Sequence, residues 1–309
     1  MKILVTGGAG FIGSHVVDRY VASGHQVSVV DNLATGLRAF VNPRAKFYLM
    51  DIRSPRLAEV FETERPDVVA HHAAQPEVRR SVADPVLDAS VNVLGSLNLL
   101  ACCRKFGVSR AIYASSGGAV YGDTAVLPTP EEHPTHPASP YGISKLVVEH
   151  YLACWKALYG ISWLALRYAN VYGPRQNPLG EAGVAAIFCR RLIRGEPAVI
   201  NGDGQQTRDY TYVGDVAEAN LLALERPEVT GAFNIGTGVE TSVLELLARL
   251  QAAARVSGEA RHGPPRPGEQ RRSVLDPTLA KRLLGWSPRV SLDDGLRLTL
   301  EHLRKESTR

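Results

Sequence analysis

Tyr141 and Lys145 stand four residues apart in Tyr141-Gly142-Ile143-Ser144-Lys145. On a helix that spacing puts a phenol and an ammonium on one face. A free tyrosine, with a pKa near ~10, is a poor base at neutral pH. A nearby ammonium favours the phenolate, so the pair reads as an acid/base for a substrate hydroxyl. A lone Tyr-x-x-x-Lys is usually a surface pair. Here Ser115-Ser116 close a strand-like run over 110–114 and offer a second hydroxyl.

A second constellation lies at the N-terminus, where Thr6-Gly7-Gly8-Ala9-Gly10-Phe11-Ile12-Gly13 follows an apolar run. Gly7, Gly10 and Gly13 would let the chain turn sharply and bring backbone N–H groups against a pyrophosphate. A helix starting there adds unpaired donors and a partial positive charge. Asp31 closes the next apolar run, 18 residues beyond Gly13. An acid at that place accepts from ribose hydroxyls and repels a 2′-phosphate, so the expected cofactor is NAD rather than NADP. A bound nicotinamide ring, being positive, would further favour a Tyr141 phenolate.

These residues need a scaffold, and the pattern supplies one. Strands are expected over 2–6, 26–31, 47–50, 68–71, 110–114 and 162–168. Helices are expected over 11–23, 55–64, 85–106 and 139–158. Such alternation predicts an α/β fold, a doubly wound parallel (Rossmann) sheet covered on both faces. After Asn170 the pattern changes. The run 172–178 reads as a loop, helices are expected over 182–194, 213–224, 243–254, 277–284 and 292–305, and short strands over 198–200 and 232–235. The Pro- and Gly-rich run 262–269 is expected to hold no regular structure. We therefore expect an NAD-binding domain over 1–169 and a smaller C-terminal α/β substrate domain over 170–309. A segment near 210–240 returns to the first.

Composition narrows the class. The chain has 309 residues, 45% hydrophobic and 21% charged, as an ordinary globular protein has. The longest apolar run, 91–100, is broken by Asn, Gly and Ser, so no membrane span is expected. The N-terminus turns glycine-rich too early for a secretory signal, which points to the cytoplasm. Net charge is +4, with 28 Arg and 7 Lys spread among the acids, so no nucleic-acid stripe is expected. Four cysteines without C-x-x-C spacing read as buried reduced thiols, and no metal site is expected.

The chain resembles the extended short-chain dehydrogenase/reductases, and most of all the UDP-glucose (galactose) 4-epimerases, along nearly its whole length. The resemblance is carried by 6–13, Asp31-Asn32-Leu33, Asp51-Ile52, Ala73-Ala74-Gln75, Asn92-Val93-x-Gly95-Ser96-x-Asn98, Tyr141-x-x-x-Lys145, Arg167-Tyr168-x-Asn170-Val171-Tyr172-Gly173-Pro174, Arg208-Asp209-Tyr210 and Arg266-Pro267-Gly268-Glu269. It implies an NAD-dependent isomerase that interconverts UDP-glucose and UDP-galactose through a 4-keto sugar. It implies that Phe11 and Ile12 meet the pyrophosphate, that Asp31 and Asn32 hold the adenosine ribose, and that Asp51 and Ile52 lie by the adenine. Ala73, Ala74, Gln75, Asn92 and Ser115 would line the cofactor cleft. Lys145 would also bond the nicotinamide ribose, with Tyr168 beside the nicotinamide. On the substrate side it implies Asn170, then Arg208 and Arg266 at the diphosphate, and Glu269 at the uridine ribose. It also implies a homodimer through a four-helix contact of 85–106 and 139–158.

One position departs from the family. Gly117 stands where a hydroxyl residue is common, so Ser116 is expected to hold the sugar O4, with Ser115 as the fallback. Gly117-Gly118 also lack the acid pair that a dehydratase needs. Ser273 falls where family members often carry a bulky Tyr, which leaves volume for an acetamido group and makes UDP-N-acetylglucosamine a second expected substrate. The competing readings are a uronate 4-epimerase, decarboxylase or reductase of the same fold, and a non-catalytic NAD-binding protein.

Overall fold

The computed structural model describes residues 1–179, 183–265 and 270–307. Its first half is built from strands β1 (Lys2–Thr6), β2 (Gln26–Asp31), β3 (Lys46–Leu49), β4 (Val68–His71), β5 (Arg110–Ser116) and β6 (Ser162–Tyr168). Between them run helices α1 (Phe11–Ala22), α2 (Leu57–Glu64), α3 (Val78–Ala83), α4 (Pro85–Ala89), α5 (Gly95–Phe106), α6 (Gly117–Tyr121) and α7 (Pro140–Tyr159). The second half adds β7 (Asn170–Tyr172), α8 (Val184–Ile193), β8 (Val199–Asn201), β9 (Thr207–Arg208), β10 (Tyr210–Tyr212), α9 (Val213–Glu225) and β11 (Gly231–Ile235). It ends with β12 (Thr241–Ser242), α10 (Val243–Ala254), β13 (Arg261–Gly263), β14 (Arg272–Ser273), α11 (Thr278–Leu284) and α12 (Leu292–Ser307).

The central sheet has the order β11-β6-β5-β4-β1-β2-β3 and is parallel throughout. Its strands are near-continuous Val, Ile, Leu and Ala, as burial on both faces requires. Strand order reverses between β1 and β4, which opens a crevice at the carboxyl edge of the sheet. One face packs Val16, Val17 and Tyr20 of α1 with Val216 and Leu224 of α9. The other packs Phe61 of α2 with Leu99 and Cys103 of α5. From 210–240, β11 joins the sheet and α9 packs on α1, while β10 pairs with β7 outside it. A second core gathers Phe188, Leu246, Leu250, Leu296 and Leu300 from α8, α10 and α12.

Local chemistry sets the helix that matters most. Ser139 Oγ accepts from Gly142 N at 3.1 Å, Pro140 starts the first turn, and Gly160 ends α7 in the left-handed region. Cap, proline and glycine are each the residue type favoured at its place.

Three expectations need correction. The helix expected over 85–106 is interrupted by a π turn at Ser90–Leu94. By length and composition, Pro85–Phe106 does reach what a membrane span needs, with mean hydropathy 1.5. Here it lies along the sheet and buries Leu99, Leu100 and Cys103. The run expected to lack structure from 262 begins inside β13, which pairs in parallel with β8 through His262 and Ile200. The loop expected from 172 likewise begins inside β7. Both short strands are made by partners distant in sequence, which local composition does not report.

Candidate active site

The glycine turn closes over the end of β1. Gly7 sits at φ +71°, and its N–H donates to Val30 O at 2.8 Å. A Cβ at Gly7 would lie 2.5 Å from Ala73 N, and one at Gly13 would lie 2.1 Å from Gly7 O. Neither approach is open to a side chain, so both glycines are required by packing. Gly10 precedes α1 with no side chain capping the helix. The first amides of α1, those of Phe11 and Ile12 included, are therefore left to an outside acceptor. This turn fits a pyrophosphate.

Asp31, at the end of β2, stands beside the turn. Its Oδ2 accepts from Ala9 N at 3.0 Å and its Oδ1 from Leu33 N at 2.8 Å. The carboxylate thus braces the turn. Asn32 Nδ2 donates to Asp51 Oδ2 at 2.9 Å. Hydrogen bonds from Arg53 pull the Asp51 carboxyl down to about 2. Ile52 packs where a Cβ on Gly95 would meet it at 2.7 Å.

The 73–75 segment is held from behind. Ala73 N donates to Thr6 Oγ1, and Gln75 N donates to Asn92 Oδ1 at 2.8 Å. Asn92 Nδ2 returns to Gln75 O and also reaches Asp88 Oδ1 and Ser144 Oγ. Gln75 Nε2 donates to Glu77 O and Asp88 Oδ1. The side chains of Asn92 and Gln75 therefore bond inside the protein. They shape the cleft through the backbone of 73–75.

At the carboxyl end of β5 the acid/base group assembles. The Ser116 hydroxyl stands near that of Tyr141 and favours its phenolate. Lys145 Nζ donates to Ala114 O at 2.9 Å and lies 4.9 Å from the Tyr113 ring centroid and 5.7 Å from that of Tyr141. Tyr141 N donates to Ser81 Oγ at 3.1 Å, which ties the start of α7 to α3. Ser115 is turned elsewhere, donating to Glu149 Oε1 at 2.5 Å. Its hydroxyl is thus held behind the site and is corrected as the fallback hydroxyl, which leaves Ser116 as the serine beside Tyr141.

The electrostatics also differ from expectation. Burial pushes the Tyr141 phenol up to about 12, although the nearby Ser116 hydroxyl pulls the other way. Burial pulls the Lys145 ammonium down to about 8, while Asp88 and Glu149 favour its charge. In the protein by itself desolvation dominates at both groups, and the phenol keeps its proton at neutral pH.

Tyr168 ends β6. Its hydroxyl accepts from Asn220 Nδ2 at 2.8 Å and lies 3.3 Å from His72 Nε2, with the His72 ring stacked on it. Asn170 opens β7, is exposed, and donates its N–H to Asp209 O. Arg208 on β9 and Ser273 on β14 are register partners. Ser273 Oγ would lie 3.0 Å from a Cβ on Gly118. A Cβ on Gly117 would meet Leu275 Cδ1 at 2.5 Å, so Leu275 fills the space that a side chain at 117 would take. Arg266 and Glu269 lie outside the described residues.

Glu149, Asp209 and His71 are site neighbours that their own place in the sequence does not single out. Glu149 continues the Tyr141–Lys145 stripe at the next i+4 step. Asp209 sits inside a quoted motif, and its carboxylate binds Thr237 N, Gly238 N and Leu275 N. His71 lies buried between Thr6 Oγ1 (2.7 Å) and Ser96 Oγ (2.9 Å), and no local pattern marks it. Among the described residues no His/Cys/Asp/Glu group could hold a metal.

Comparison with known proteins bears on what this arrangement does. Residues 3–236 match the model of the NAD dependent epimerase/dehydratase family. The chain is 44% identical to a UDP-glucose 4-epimerase of Mycolicibacterium smegmatis over 312 residues, 99% of this chain and 100% of that one. Its structure is similar to that of UDP-glucose 4-epimerase with UDP-glucose from Thermotoga maritima, with TM-score 0.97, 50% identity, and coverage of 99% of this chain and 100% of that chain. It is also similar to the UDP-glucose 4-epimerase of Thermus thermophilus in complex with NAD, with TM-score 0.93, 48% identity, and coverage of 98% and 99%.

Proposed function

Since the chain belongs to the NAD dependent epimerase/dehydratase family, we propose that it interconverts UDP-glucose and UDP-galactose by epimerisation at C4. The carrying observation is the Tyr141–Lys145 pair on α7, with Lys145 Nζ bonded to Ala114 O at the end of β5 beside Ser116, at the same sheet edge as an uncapped glycine turn. NAD fits that turn, held by the Phe11 and Ile12 amides and by Asp31. When bound it supplies the hydride acceptor and donor and a positive charge near the phenol.

The chain's own groups do the rest. Tyr141 takes the O4 proton as C4 is oxidised and returns it once the flat keto sugar presents its other face. Ser116 holds O4 within reach of the phenol. Lys145 favours the phenolate and would bond the nicotinamide ribose. Asn170, Arg208 and, in the stretch 266–269, Arg266 and Glu269 would grip the nucleotide while the hexose turns. Remote binding of this kind keeps the intermediate from escaping. Gly117-Gly118 offer no second acid pair, which supports an epimerase over a dehydratase. The small Ser273 beside Gly118 supports N-acetylated hexoses as further substrates.

Two finer readings accompany this one. Val82, Val86, Leu94 and Ile143 are all more than half exposed along α3, α4, the π turn and the start of α7. An apolar face of this kind supports a homodimer through these helices. Light scattering at micromolar concentration tests it, and a monomer defeats it. The four free cysteines fit the reducing cytoplasm.

Purified protein incubated with UDP-galactose and no added cofactor is expected to form UDP-glucose with no net build-up of reduced nicotinamide. No product, or a product other than the C4 epimer, overturns the proposal.

A further inference from the structure

The end of β5 receives one α7 side chain at each of three successive residues. Lys145 Nζ donates to Ala114 O at 2.9 Å, Ser115 Oγ donates to Glu149 Oε1 at 2.5 Å, and Ser116 stands beside Tyr141. Tyr141, Lys145 and Glu149 are spaced i, i+4, i+8 and form one stripe of the helix. The epimerase reading employs the first two and leaves the third without a task.

Glu149 is firmly built in. It is 4% exposed. Arg167 on β6 meets it with Nη2 at 2.7 Å from Oε2 and Nε at 3.1 Å from Oε1. Arg167 Nη1 donates to the Tyr121 hydroxyl at 2.8 Å, which donates to Asn234 Oδ1 at 2.9 Å. The network thus joins α7, β5, β6, α6 and β11. A carboxylate is withdrawn from water at a large desolvation cost, offset only by partners of good geometry. Glu149 has Arg167 and the Ser115 hydroxyl, and the hydroxyl grips the residue next to the catalytic serine.

We propose that Glu149 is a positioning residue for the epimerase reaction: it fastens Ser115, so holding the Ser116 hydroxyl against Tyr141, and sets a negative charge one helical turn from the Lys145 ammonium. The proposal rests on the epimerase reading. The groups around that ammonium are Tyr141 and Glu149 on α7, Asp88 on α4, Tyr113 on β5, and His71 and His72 at the end of β4. Arg167 lies behind Glu149. Both histidines are pulled down by burial and are neutral at pH 7. Asp88 and Glu149 are the groups that favour the charged lysine. Glu149→Gln removes one of them, so Lys145 should lose its proton at lower pH.

The test compares wild type, Glu149→Gln and Ser115→Ala, all NAD-loaded and checked for folding by circular dichroism. Turnover of UDP-galactose is measured against pH. The Lys145 titration is followed by NMR with ¹³C-labelled lysine, which is tractable with seven lysines and assigned through Lys145→Arg. Glu149→Gln is expected to lower kcat about tenfold with KM within about twofold. The alkaline limb and the Lys145 titration should both move down by about one unit. Ser115→Ala is expected to lower kcat several-fold and leave the lysine titration in place. An unmoved Lys145 titration in Glu149→Gln overturns the charge role. Wild-type kcat in Ser115→Ala overturns the grip, and that variant decides the matter if Glu149→Gln does not fold. If wild type forms no UDP-glucose, it is the epimerase reading that falls. The lysine titration still reports on Glu149 in that case.

Discussion

In the proposed reaction two hydroxyls and one ammonium carry the chemistry, and their surroundings set the pH at which it runs. Tyr141 is half-buried, desolvation pushes it up to about 12, and the neighbouring Ser116 hydroxyl opposes that rise. Tyr141→Phe removes the proton carrier and is expected to cut turnover of UDP-galactose by roughly a thousandfold, within the range for lost acid/base catalysis. Ser116→Ala is expected to cost more than roughly tenfold. It should also move the acid limb of the kcat profile upward, because the phenolate loses a donor. An unchanged rate and profile in Ser116→Ala would remove that serine from the mechanism. The motif spacing made Tyr141 and Lys145 visible in the sequence. The choice between Ser115 and Ser116 was not visible, because adjacent serines are distinguished only by which partner each meets.

Elements decide how near these groups can come to a bound nucleotide. The turn between β1 and α1 packs so closely that Gly13 has no room for a methyl group. Gly13→Ala is therefore expected to shift the Gly7 peptide and strip the protein of nucleotide. The nucleotide released from denatured protein, compared with wild type, measures this, and full retention refutes it. The segment 272–275 works differently. Leu275 presses on Gly117, its N–H is held by Asp209, and Ser273 lies next to Gly118. A strand of the second half thus forms part of the wall beside Ser116. Periodicity located β1, α1, β5 and α7 because each buries a continuous apolar run or stripe. It passed over β7, β9, β10, β12, β13 and β14, two or three residues each, because such strands exist only through their partners.

Across the whole molecule, buried histidines couple stability to pH. His71 is fully enclosed, and burial pulls it from 6.5 down to about 3. Above pH 6.5 it is neutral in both the folded and the unfolded chain, and its contribution to stability is complete. Below 6.5 the unfolded chain takes up the proton first, so that contribution is lost progressively toward pH 3. Tm is expected to fall as pH drops from about 6.5 to about 4, and His71→Asn should flatten that part of the curve. A Tm that is level across this interval counts against it. The strands and helices of the Rossmann fold, the nucleotide turn and the Tyr–Lys pair were legible in the sequence alone, because each shows as a pattern within one helix, one strand or one turn. Tertiary structure alone decided that Asn92 and Gln75 bond to each other inside the protein, that Ser115 belongs to Glu149, and that Leu275 closes the space at Gly117. Those outcomes depend on which surfaces meet when distant segments pack, and on desolvation that exists only once they have met.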